Sequence, residues 1–89
     1  MSEVVSSKEP TTRKVTEYLE LREIGLKPAT KVYGIFSVRH GDKLGEIKWY
    51  GPWRQFAFFP TLETIWNEQC LLDVVHFIHV AKVEGRLKR

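Results

Sequence analysis

Residues 31–59 read KVYGIFSVRHGDKLGEIKWYGPWRQFAFF, and this stretch decides the fold. Three segments, Lys31–His40, Lys43–Tyr50 and Trp53–Phe59, are β-branched and aromatic with a period near two. The dipeptides Gly41-Asp42 and Gly51-Pro52 separate them, both are turn formers, and Pro60 ends the third segment. Two-residue loops at both dipeptides would set Phe36 opposite Ile47, and Ile47 opposite Phe56. Side chains alternate across a strand, so this register predicts one apolar face of Val32, Gly34, Phe36, Val38, Gly45, Ile47, Trp49, Phe56 and Phe58. Pro52 fits a two-residue turn poorly; a four-residue loop is the alternative.

On the C-terminal side, residues 67–83 change to a helical period. Asn67 suits an N-cap and Glu68 the positive first turn. Leu71, Val74, Val75, Ile78 and Ala81, flanked by Cys70 and Phe77, form a stripe that predicts packing on the apolar sheet face. On the N-terminal side, Val15, Tyr18, Leu19 and Leu21 lie roughly three or four apart. They predict a helix over 12–24, stopped by Gly25 and Pro28, with a strand at Leu19–Glu23 as the alternative. Residues 1–11 offer little to bury and predict a flexible arm. The expected fold class is α+β: a three-stranded antiparallel β-meander packed against a C-terminal helix, with an N-terminal helix, in a single domain over 12–89.

Composition narrows the function. A chain of 89 residues has room for one modest core, and 43% hydrophobic residues fit a folded globule. No apolar run approaches the roughly 18 residues of a membrane span, and no signal-peptide pattern opens the sequence. A lone cysteine, Cys70, excludes an internal disulfide framework and fits a reducing compartment, so the expected location is cytoplasmic. The net charge of +3 is uneven: residues 31–60 and the tail from Lys82 to Arg89 are basic, whereas residues 61–81 hold only Glu63, Glu68 and Asp73. Such a balance permits nucleic-acid binding without requiring it.

Catalysis is not expected. Cys70 with His76 or His79 is the one nearby nucleophile–base combination, and at about 100° per residue the helix points them apart. Asp73, His76 and His79 lack the i, i+4 histidine pair of a helical metal site. No phosphate-cradling glycine loop occurs. The expectation is therefore a non-enzyme without cofactor or metal.

Two surfaces remain to be explained. The predicted register puts Tyr33, Tyr50 and Trp53 in a row on the second sheet face, with Lys48 beside them and Lys31 and Arg39 nearby. Aromatic rings with cations are what single-stranded nucleic acid needs, unless the N-terminal helix covers that face. The second surface is the back of the C-terminal helix, where Leu72, His76, His79 and Val83 form their own stripe. From Gln69 to Ala81 the one charged residue is Asp73, so this side calls for a cover. Either the N-terminal helix or a second copy of the chain could supply it. Two histidines in such a seam would make a dimer weaken on acidification.

Trp49, Tyr50, Trp53, Arg54, Phe56, Phe58 and Pro60, followed by Cys70, Leu71 and Asp73, carry a resemblance. The stretch 45–78 resembles a family of small uncharacterised proteins encoded by bacteriophages and bacterial mobile elements. That resemblance implies a sheet-and-helix module in a phage setting, in the cytoplasm of a prokaryotic or virus-infected host cell, and brings no catalytic residue. The combined expectation is a small binding module for itself or another protein, possible nucleic-acid binding being the alternative, with no membrane partner.

Overall fold

The structure, a computed structural model, describes residues 13–86. Five strands follow one another as a meander: β1 (Arg13–Val15), β2 (Leu19–Leu26), β3 (Lys31–Ser37), β4 (Lys43–Tyr50) and β5 (Gln55–Pro60). All neighbours pair antiparallel in sequence order, and one helix, α1 (Glu68–Glu84), lies across one face. The class is α+β, with five strands where the sequence predicts three. No helix occurs at residues 13–24, which form β1, its turn and part of β2. The flexible arm expected over 1–11 lies outside the described residues.

The N-terminal expectation fails for a physical reason. Leu19 and Leu21 are both fully buried, a period of two that a helix would split between faces. Thr16 closes the turn before them: its N–H donates to the Leu19 carbonyl at 2.8 Å, and its hydroxyl oxygen accepts from the Leu19 N–H at 3.1 Å. As a strand, β2 also satisfies the backbone of β3 along Leu19–Leu26, groups a covering helix would have left unpaired.

The face of β3 is a second correction. The β3–β4 loop is longer than two residues: Ser37 N–H donates to Asp42 at 2.9 Å, and Gly41 takes φ 82°, a region that favours glycine. Lengthening the loop by an even number of residues preserves the faces. A bulge then places Phe36 opposite Lys43 but Ile35 opposite Gly45, and that single extra residue, Leu44, reverses them. Tyr33 and Ile35 therefore join Ile47 in the core, while Val32, Gly34 and Phe36 go to the opposite side. The β4–β5 hairpin keeps its predicted faces. Its loop has four residues because Pro52 enters a 3₁₀ turn, Gly51–Trp53, and Arg54 closes it with a left-handed backbone (φ 54°).

Helix α1 starts where expected, with Asn67 Oδ1 accepting from the Cys70 N–H at 2.8 Å. Its buried residues are Val74, Phe77 and Ala81; Leu71 and Val75, expected in the core, are exposed. The helix ends close to the sheet. A Cβ on Gly85 would lie 2.6 Å from the Ala81 carbonyl oxygen, 2.8 Å from Phe56 Cζ and 3.2 Å from the Tyr33 hydroxyl. The Lys31 N–H donates to the Gly85 carbonyl at 2.8 Å, tying the helix end to the start of β3.

Candidate functional site

The six residues expected to form a nucleic-acid face are divided by this fold. Tyr33 is 0% exposed and belongs to the core. Lys31 lies on the same side as Tyr33 and pairs with Glu23 at 3.4 Å. Arg39 is in the β3–β4 loop, while Tyr50 ends β4; eight residues at about 3.3 Å each put more than about 20 Å between these ends. Lys48, Tyr50 and Trp53 do stay together on the open side of the sheet. Tyr50 packs edge-on against Trp53 (4.9 Å) and near Phe59 (6.0 Å), and the Lys48 ammonium sits 4.7 Å above the Phe59 ring. Trp53 is 65% exposed. These rings line an open groove of about 260 Å³.

The rest of that open side is closed by its own charges. Glu46 takes Lys43 at 2.6 Å and Lys48 at 3.2 Å, and Arg22 pairs with Glu20 while its guanidinium lies 3.9 Å over the Phe36 ring. The hydrogen bond from Lys43, with Lys48 assisting, holds the Glu46 carboxyl below its ordinary value against the opposing effect of burial.

Around the end of β4 the molecule gathers residues that sequence periodicity did not connect. Trp49 faces the helix side, edge-on to Phe56 at 5.5 Å, with the Arg86 guanidinium 5.2 Å above its ring. Lys27 comes from the β2–β3 turn, Arg54 from the β4–β5 loop, and Lys82 and Arg86 from the end of α1. The basic tail was a usable signal for Arg86. Lys27 and Arg54 are brought in by the sheet topology alone.

The helix stripe is intact. Leu72 (55%), Val83 (78%), His76 and His79 all lie on the outward side of α1, together with Val75 (62%). Glu68 begins this side and Lys82 ends it. The loop leading into the helix exposes Leu62 and Ile65 as well. Asp73 is turned elsewhere, accepting from the Thr16 hydroxyl at 2.8 Å. Cys70 packs against the core.

Among the described residues no three His, Cys, Asp or Glu side chains gather as metal ligands, and no helix is long and apolar enough to cross a membrane. No protein-family model matches the chain, and no solved structure matches it. Among known proteins it is similar to an uncharacterised 9.3 kDa protein of Acholeplasma phage L2, 31% identical over 68 residues, an alignment spanning 74% of this chain and 86% of the phage protein. With that identity over most of both sequences, the chain belongs to the family of this small phage protein.

Proposed function

We propose that the chain is a non-enzymatic binding module whose outward α1 face docks on a second copy of itself. The observation that carries this reading is the exposure of Leu72, Val75 and Val83 on one side of a helix whose other side is already buried in the sheet. A helix apolar on both sides is normally covered on both. Charge selects the arrangement. With Glu68 at one end of the face and Lys82 at the other, an antiparallel, two-fold pairing sets each Glu68 against the partner's Lys82. A parallel pairing would oppose like charges. The same two-fold brings His76 and His79 toward the axis, among Leu72 and Val75 of both copies, with Phe77 behind them.

Multi-angle light scattering across a concentration series is the test. A dimer is expected at neutral pH. Leu72→Glu removes a central apolar contact and buries two carboxylates near the axis. It should weaken the dimer at least about thirtyfold, as for a hot-spot residue worth about 2 kcal/mol, with the far-UV spectrum unchanged. A monomer at high concentration and neutral pH overturns the reading.

A further inference from the structure

The end of the sheet beside the helix C-terminus holds a concentration of cations that stand outside the fold's ion pairs. The ion pairs among the described residues engage Arg22, Lys31, Lys43 and Lys48, and leave out Lys27, Arg54, Lys82 and Arg86. Those four surround Trp49. Its indole and the Arg86 guanidinium above it form a ridge between two open clefts of about 250 and 180 Å³. Lys27 borders the first with Pro28 and Ala29, while Arg54 and Lys82 border the second with Phe56. Among the described residues, no carboxylate lines either cleft.

Two details make this more than a solvated basic end. Arg86 is positioned rather than free: its backbone bridges to Thr30 while its side chain lies over the indole. Arg54 occupies a left-handed backbone position, where a glycine or asparagine would be less strained. It is exposed and adds nothing to the core. The shape also argues for a kind of ligand. Both clefts are open to solvent and share Trp49 and Arg86 as a wall, which suits an extended chain and not an enclosed small molecule. Within the β4–β5 loop, beside Arg54 and on the open side of the sheet, Trp53 is 65% exposed and supported edge-on by Tyr50.

We propose that this end of the molecule binds single-stranded nucleic acid, with backbone phosphates at Lys27, Arg54 and Arg86 and a base stacked on Trp53. Phosphates need the cations, and unpaired bases need the ring. A duplex would hide the base faces that the ring requires. The site stands apart from the outward face of α1 except at Lys82 on its rim, so it does not depend on the dimer.

The test is a fluorescence-anisotropy titration with labelled oligo-dT and oligo-U of about 15 nucleotides, in low and moderate salt. Matching duplex and inorganic polyphosphate serve as competitors. Three phosphate contacts predict a slope of log K against log salt of about −2, from about −0.7 per contact on a single strand. The double variant Lys27→Glu, Arg54→Glu should weaken binding more than about tenfold with an unchanged fold. Trp53→Ala should cost roughly five- to a hundredfold, the range for losing one stacked base. Leu72→Glu should leave affinity within about twofold, whatever its effect on assembly. Absence of binding to either strand in low salt overturns the proposal. Equal competition by duplex or polyphosphate, or indifference to Trp53→Ala, overturns its nucleic-acid specificity. Loss of binding in Leu72→Glu would move the site to the helix and overturn its placement here.

Discussion

The two sides of the β-sheet are built from similar residues and are stabilised differently. On the covered side, Leu19, Leu21, Tyr33, Ile35, Ile47 and Phe56 meet Val74, Phe77 and Ala81 of α1 in one buried layer. On the open side, Phe36 and Phe59 are no less aromatic, yet each lies under a cation, Arg22 at 3.9 Å and Lys48 at 4.7 Å. Glu20 and Glu46 then engage those cations. One side removes apolar surface from water; the other caps its rings with charges that stay in water. The difference teaches that an aromatic residue in a strand does not announce a core. Its cross-strand neighbour decides.

Substitutions on the two sides should therefore differ sharply. Ile47→Ala empties space in the covered layer and should lower the free energy of unfolding by about 2–5 kcal/mol, read from denaturant midpoints. An unchanged thermal midpoint would show that the covered side is not the core. Gly85→Ala sharpens the same point without removing anything. The added methyl must push against the Ala81 carbonyl, Phe56 and Tyr33, at a cost of about 1–3 kcal/mol. Phe36→Ala, on the open side, should cost only about 1 kcal/mol, mostly the Arg22 contact and the ring's cover over Gly34. A loss as large as that of Ile47→Ala would erase the distinction between the sides.

The smallest effect belongs to Glu46. Its carboxyl is held below the ordinary glutamate value, about 4.3, by Lys43 and Lys48. A depressed folded value means that the contribution is fully present above the unfolded value and is lost as pH falls through the folded one. Glu46→Gln should therefore lower stability slightly at pH 6, by less than about 1 kcal/mol as for surface ion pairs, and should make a smaller difference near pH 2–3. Urea midpoints for both proteins at the two pH values check it. An equal loss at both would assign the role to packing and not to charge.

Much of the architecture could be read locally. Strands β4 and β5, their inward residues and the Asn67-capped helix follow from alternation, turn formers and capping, all short-range signals. The N-terminal segment could not be read that way. Val15, Tyr18 and Leu19 fit a helical spacing as well as Leu19 and Leu21 fit a strand, and what separates the two is a partner, β3. For the candidate surfaces, the exposed stripe Leu72, His76, His79 and Val83 was legible from the scarcity of charge along the helix. The cationic end around Trp49 was not, because its members come from two loops and a helix end.

The amino-acid sequence by itself determined the identity of the last two strands and the helix, since each is specified by residues a few positions apart. Only the tertiary structure decided which way β3 faces and how α1 is rotated. One extra residue at Leu44 exchanges the two sides of a strand, and with them Tyr33 and Phe36. Helix rotation is likewise set by what the sheet can receive: Phe77 and Ala81 fit its covered side, and Leu71 and Val75 are left outside. Both outcomes depend on pairing and packing between residues distant in the chain, and local periodicity does not encode them.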